Sequence, residues 1–216
     1  MPTIGLLGGT FDPIHFGHLN MAQALAVALK LDEVRFIPAA VPPHKPAPLA
    51  SAQHRAAMVK LAISGNPMFS LDDRELLKTG PSYTLDTLIS LRQELAKNTR
   101  LILFMGSDAF SQFNTWHGWQ QIIQLCHIAI VQRPLDAACP ALNGELERFL
   151  QQHLTTNVDD LSHQAIGCII MQAIAPMAIS SSAIRQLIRH QYAVRQLMPD
   201  SVLDYIQSNK LYQHGL

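Results

Sequence analysis

The chain has 216 residues, 48% hydrophobic and 15% charged, enough for one sizeable α/β domain with a full core. Sixteen basic residues balance 16 acidic ones for a formal net charge of zero, which excludes a broadly basic nucleic-acid surface. Cys126, Cys139 and Cys168 form no Cys-x-x-Cys and read as unlinked thiols, no apolar stretch is of membrane length, and no signal peptide is indicated, so a cytoplasmic protein without membrane contact is expected.

The first segment, Ile4 to His18, opens apolar and predicts a short buried strand. Gly8 and Gly9 follow, where a backbone without Cβ can turn tightly and approach a ligand. Asp12-Pro13 is a turn signal. A helical apolar pattern then runs from about Gly17 to Leu29. Strand, glycine turn and helix in that order bring free N–H groups and the positive helix end to the turn, which suits phosphate. His15 and His18, three apart at the helix entrance, share a face. Imidazoles there can donate to phosphate oxygens and stabilise charge that builds up in phosphoryl or nucleotidyl transfer. The plainer reading makes one histidine a cap and the other core; Gly8-Gly9-Thr10 ahead of them favours phosphate. A zinc pair is disfavoured, because no Cys, Glu or third His follows at ligand spacing.

Val34 to Pro38 predicts a second buried strand, and residues 39–48 hold four prolines that make a stiff extended loop. His44 and Lys45 lie on it, at the carboxyl end of a strand, where open α/β sheets bind ligands. A surface linker and a phosphate contact through Lys45 are both open. A helix from about Ser51 to Ser64, capped by Ser51, and a short strand from Met68 to Leu71 follow. Asp72-Asp73-Arg74-Glu75 reads as a solvated face. Ser82-Tyr83-Thr84 opens a helix to about Ala96, with Ser82 or Thr84 as its cap. Its entrance suits ordinary capping or a small planar acid.

Arg100 to Met105 is a clear buried strand ending in Gly106-Ser107-Asp108, read as a tight turn with a carboxylate. Trp116-His117-Gly118-Trp119 leads into a helix through about Leu125; the tryptophans suit either stacking on an aromatic ligand or core packing. Ile128 to Val131 is a strand ending at Arg133-Pro134, and residues from about 135 to 163 read as a peripheral excursion. Cys168 to Met171 gives a last short strand. After Pro176 comes Ile179-Ser180-Ser181-Ser182-Ala183-Ile184-Arg185, a capped helix entrance with a planar cation one turn in. A plain capped helix with a surface arginine is the alternative. Asp200 to Leu211 predicts a final amphipathic helix. Strands alternating with helices point to a parallel sheet. The glycine turn is neither a Gly-x-Gly-x-x-Gly fingerprint nor a P-loop.

Together, Gly8 to His18 and Ile179 to Arg185 resemble the two signatures of the nucleotidylyltransferase superfamily, His-x-Gly-His and an Ile-Ser-Ser-Thr-x-Ile-Arg-like segment, with Ser182 where Thr is usual. Within it the chain is most similar to the bacterial nicotinate-nucleotide adenylyltransferases, on Val41-Pro42-Pro43-His44-Lys45, Pro81-Ser82-Tyr83-Thr84, Gly106-Ser107-Asp108 and Thr115-Trp116. The resemblance implies a Rossmann-like, doubly wound parallel α/β sheet in a single domain over 1–216, with a C-terminal helical segment at about 180–216. It implies AMP transfer from ATP to nicotinate mononucleotide, giving nicotinate adenine dinucleotide and pyrophosphate in NAD biosynthesis. Mg²⁺ would come bound with ATP, with no metal site of the protein's own, and the chain would be a monomer or homodimer without nucleic-acid partners.

The resemblance also assigns roles. His15, His18, Lys45 and Arg185 would be catalytic. Gly8, Gly9, Thr10, Phe11, His15, His18, Gly106, Asp108, Ile179, Ser180, Ser181 and Arg185 would bind ATP. Gly9, Lys45, Tyr83, Thr84, Asp108, Trp116 and His117 would bind nicotinate mononucleotide. Trp116 would stack on the pyridine ring, and N–H groups near Thr84 and His117 would receive its carboxylate, where a helix dipole favours acid over amide. Competing expectations are a sister enzyme with another acceptor, such as nicotinamide mononucleotide or phosphopantetheine, a non-catalytic nucleotide-binding module, and, more distantly, a metallohydrolase built on the ten histidines.

Overall fold

The computed structural model describes residues 1–41, 47–78, 80–132, 142, 144–175 and 177–213. In chain order the elements are β1 (Thr3–Gly9), α1 (Phe16–Ala28), β2 (Glu33–Pro38), α2 (Ala52–Ile63), β3 (Phe69–Leu71), α3 (Thr84–Glu94) and β4 (Arg100–Gly106). Then follow α4 (Ser107–Phe110), a 3₁₀ turn at Phe113–Thr115, α5 (Trp119–Ile122), β5 (His127–Gln132) and α6 (Gly144–His153). The chain continues through β6 (Leu154–Thr155), α7 (Asp160–His163), β7 (Ile169–Ala173), α8 (Ser181–Arg189) and α9 (Asp200–Ser208). The strands run in the sheet order β3-β2-β1-β4-β5-β7-β6. β1–β4, β4–β5, β5–β7 and β6–β7 all pair in parallel. Leu101–Met105 and His127–Val131 are buried throughout, the unbroken apolar pattern of strands covered on both faces.

Two compact units share the chain. One comprises Met1–Leu7, Ala24–Val34 and Tyr83–Pro176. In it β1 sets Leu6 beside Leu103, and β4 sets Ile102 beside His127. The Arg92 guanidinium ties the ends of two connections, donating to the Leu125 carbonyl at 2.8 Å and to Thr99 at 2.6 Å. His127 is fully buried; its Nδ1 accepts from the Cys168 amide at 3.2 Å and its Nε2 faces the Gln164 carbonyl at 3.1 Å. Burial pushes that imidazole down to about 4.

The other unit comprises Gly8–Gln23, Arg35–Ser82 and Met177–Leu216. Its core joins Phe11, Phe36 and Phe69, with ring centroids 6.0 and 5.2 Å apart along that series. α2, which buries Met58 and Val59, packs on β3 and on α9, which buries Val202 and Ile206. Ser51 caps α2 by accepting from the His54 amide at 3.3 Å, as its place before the helix predicts.

Several expectations change. The left-handed residue after β1 is Phe11, at φ +50°, whereas Gly8 and Gly9 continue β1 without positive φ. Neither Ser82 nor Thr84 caps α3, which starts from an extended Tyr83 without a side-chain cap. The Ser82 hydroxyl instead accepts from the Ala40 amide at 3.0 Å. The charged stretch 72–75 is not a solvated face. Asp72 and Glu75 are buried, and Asp72 is paired with Arg74 at 2.7 Å and Arg35 at 3.7 Å, so charge pairing lets a carboxylate sit inside. Ser107 to Phe110 forms a helical turn and not a tight loop. Within 135–163, β6 adds a strand beside β7, and α6 buries Leu146 and Phe149. His44, Lys45, Arg133-Pro134 and Cys139 lie outside the described residues. Among the described residues no helix is long and apolar enough to cross a membrane.

Candidate active site

The first motif closes on itself at the entrance of α1. The His15 amide donates to His18 Nδ1 at 3.3 Å, and the two rings stack with centroids 3.8 Å apart and planes at 29°. An Nδ1 that accepts leaves the proton on Nε2, so His18 is set as a neutral N–H donor. The Phe11 ring meets His18 edge-on at 5.1 Å. Its left-handed backbone puts that ring there, and a Cβ on Gly9 would approach the same ring to 3.0 Å.

His15 is only 6% exposed, and its Nδ1 is buried with no hydrogen-bond partner among the described residues. Burial pushes its imidazole down to about 4, so the ring is neutral at pH 7. A buried polar atom left without a partner costs free energy unless something else supplies one. Gly17 makes room for the ring: a Cβ there would lie 2.9 Å from its Cε1 and Nδ1.

The second motif meets the first in the same unit. Ser180 caps α8 by accepting from the Ala183 amide at 3.2 Å. The Ser181 hydroxyl donates to the Pro13 carbonyl at 2.9 Å. Arg185 Nη1 donates to the Asp12 carbonyl at 2.6 Å and stands 3.7 Å from the Asp12 carboxylate. The Ile179 carbonyl lies 3.7 Å from where a Gly17 Cβ would stand. Thr10, Phe11, His15, His18, Ile179, Ser180, Ser181 and Arg185, expected to act together, therefore belong to one assembly, with Gly8 and Gly9 leading into it.

Three further residues of this assembly carried no chemical signal in the sequence. Asp12 was legible only as half of a turn dipeptide. It is a buried carboxylate that accepts from the Leu49 amide at 2.8 Å, the Ala50 amide at 3.1 Å and the Tyr212 hydroxyl at 2.7 Å. Arg55, a lone arginine on α2, is 1% exposed. Its guanidinium donates to the carbonyls of Thr10 (2.8 Å), Ala39 (2.6 Å), Ala40 (3.1 Å) and Ala50 (3.2 Å). Tyr212 follows α9 in a run whose apolar residues predict only packing.

The expected pyridine-site residues lie in the other unit. The Tyr83 and His117 rings are 4.7 Å apart, and Thr84 opens α3 next to them. Trp116 is half-buried with its ring edge-on to Phe113 at 5.6 Å, whereas Trp119 packs between Phe113 and Phe149. Both tryptophans are half-buried; Trp119 is the one held between two phenylalanine rings. Gly118, at φ +61°, starts α5 with Leu85 packed where a Cβ would go. Gly106 ends β4, and Asp108 is exposed in the first turn of α4.

Comparison with known proteins agrees with both motifs. The cytidylyltransferase-like family model matches residues 6–187. A protein of Hahella chejuensis named a probable nicotinate-nucleotide adenylyltransferase is 47% identical over 210 residues, covering 97% of this chain and 95% of its own. One of Dechloromonas aromatica with the same name is 43% identical over 213 residues, covering 98% of each. Among solved structures, Plasmodium falciparum nicotinic acid mononucleotide adenylyltransferase complexed with NaAD matches with a TM-score of 0.74 over 100% of this chain and 99% of its own. At 17% identity that likeness shows the shared Rossmann-type fold. With 47% identity along nearly its whole length, and both motifs in place, the chain belongs to the cytidylyltransferase-like family and, within it, to the nicotinate-nucleotide adenylyltransferases.

Proposed function

We propose that this protein transfers the AMP group of ATP to nicotinate mononucleotide, giving nicotinate adenine dinucleotide and pyrophosphate. Membership of the adenylyltransferase family supports the reaction. The observation that carries the chemistry is the convergence of two neutral imidazoles and one guanidinium on a single glycine-led turn. β1 leads into that turn from the middle of the sheet order, and open α/β sheets bind ligands at the carboxyl ends of such strands.

In this reading a 5′-phosphate oxygen of nicotinate mononucleotide attacks the α-phosphorus of ATP. The bond from that phosphorus to the α,β-bridging oxygen breaks, and pyrophosphate leaves with the electron pair. No covalent enzyme intermediate is needed, so catalysis is positioning plus charge stabilisation. His18, fixed as an Nε2–H donor, contacts the α-phosphate. His15, neutral and with an orphaned nitrogen, adds a hydrogen bond and no charge. Positive charge comes from Arg185 and Lys45, and from Mg²⁺ entering as the MgATP complex. Thr10 and Ser181 serve the triphosphate through backbone N–H groups, since the Ser181 hydroxyl is engaged with Pro13. Phe11 and Ile179 shape the ATP side, and Ser180 holds the helix entrance. Gly106 and Asp108 take ribose hydroxyls. Tyr83, Thr84, Trp116 and His117 hold the nicotinate ring and its carboxylate.

The test is pyrophosphate release from MgATP with nicotinate mononucleotide and its amide run in parallel. Release with strong preference for the acid is expected. Equal use of both would keep the chemistry and reject the carboxylate site; release with neither would reject the reaction.

A further inference from the structure

The Asp12 carboxylate is 4% exposed and already well supplied with donors. Oδ1 accepts from the Tyr212 hydroxyl at 2.7 Å and the Ala50 amide at 3.1 Å, and Oδ2 accepts from the Leu49 amide at 2.8 Å. Arg185 is the obvious partner for this carboxylate, yet its Nη1 stands 3.7 Å from Oδ2, beyond hydrogen-bond reach. Its short bond, 2.6 Å, goes to the Asp12 backbone carbonyl instead. A guanidinium carries five N–H groups and prefers a fork onto a carboxylate when the lone pairs are open.

We propose that Tyr212 is a positioning residue for Arg185: its hydroxyl, with the Ala50 amide, fills Asp12 Oδ1 and so keeps the guanidinium from forking onto both carboxylate oxygens. Arg185 then stays tethered by one backbone bond, with its side chain 26% exposed and its charge available to an anion. This rests on the reading of Arg185 as a triphosphate ligand. Tyr212 and Arg185 line the same hollow of about 200 Å³, with Leu49 and Ser182. The placement of Tyr212 is unusual for a packing residue. It is 8% exposed at φ +63°, in the left-handed region that bulky side chains seldom adopt. Such a conformation persists only where surrounding contacts enforce it. The Leu211 amide folds back to the Ile206 carbonyl at 3.0 Å and delivers Tyr212 to Asp12. Burial, with the Asp12 charge beside it, pushes the phenol upward, so it remains a donor at all working pH values.

The experiment is a double-mutant cycle of Tyr212→Phe and Arg185→Lys, read as kcat and as separate KM values for ATP and nicotinate mononucleotide, with melting temperature alongside. Tyr212→Phe is expected to raise the KM for ATP about tenfold, the size of one charge-assisted contact, and to leave the KM for nicotinate mononucleotide unchanged. In the Arg185→Lys background it should add nothing, because lysine has no planar fork to be misdirected. Tyr212→His, which keeps a planar donor, should recover part of the ATP affinity, and Tyr212→Leu, which also deletes the hydroxyl, completes the cycle if Tyr212→Phe does not fold. Equal losses for both substrates, or multiplicative losses in the double variant, would overturn the proposal while leaving Arg185 as a ligand. An Arg185→Lys enzyme with unchanged ATP kinetics would instead overturn the reading on which the proposal rests.

Discussion

At His18 one backbone hydrogen bond decides what the side chain can do. With Nδ1 accepting from the His15 amide, the ring proton sits on Nε2. His18→Ala should lower kcat about 10²- to 10³-fold, the usual loss for a donor aimed at developing charge, with an unchanged circular dichroism spectrum; near-normal turnover would remove it from the mechanism. Gly17→Ala tests the neighbouring ring. The added methyl would meet the His15 imidazole at 2.9 Å, so the ring must move. A fall in kcat of about tenfold or more is expected with little change in melting temperature, because misplacement by an ångström is costly to catalysis. Both histidines were legible from their spacing together with Gly8-Gly9-Thr10 ahead of them. Asp12 was not: beside a proline it reads as a turn, and nothing local tells that residues 49, 50, 185 and 212 bring donors to it.

At the scale of elements, α2 matters more than its sequence suggests. Its arginine does not face solvent; it bonds four carbonyls, two at the start of the proline loop and one after it, and that of Thr10. Burial works against its charge, and the Asp12 carboxylate supports it. Arg55→Lys supplies three donors at one point and cannot span these carbonyls. The variant should lose about 3 kcal/mol or more in urea unfolding, since each buried carbonyl left unsatisfied costs about 1–3 kcal/mol. A loss under about 1 kcal/mol would mean that water replaces the guanidinium. α8 behaves as its serines predict, with Ser180 as the cap. α3 does not, because Ser82 is drawn off to the Ala40 amide and a helix start is no obligation to use the nearest hydroxyl.

For the whole molecule, two buried histidines set a shared acid sensitivity. His15 and His127 are each pushed down to about 4 by burial, from an ordinary 6.5. The unfolded chain therefore binds more protons than the folded one between those values. Stability is full above about 6.5 and falls as pH drops toward 4. From pH 6.5 to 5 the expected loss is about 1–2 kcal/mol for each ring, before most carboxylates titrate. Urea midpoints across that interval measure it, and His127→Gln should remove about half of the drop. An unchanged drop would mean that His127 is solvated before global unfolding.

Spacing and residue type alone determined the alternation of strands and helices, the parallel sheet and the two motifs, and the resemblance of those motifs to known signatures pointed to the family. These are local or periodic signals: apolar runs, a glycine pair, histidines three apart, a serine cap. Only the tertiary structure decided what surrounds them. It put the left-handed turn at Phe11 and not at a glycine, buried Asp72, and gave Asp12 donors from residues 49, 50, 185 and 212. The physical reason is that burial and hydrogen-bond partnership belong to pairs far apart in the chain. No single segment carries the information that its carboxylate will be dry, or which N–H will reach it.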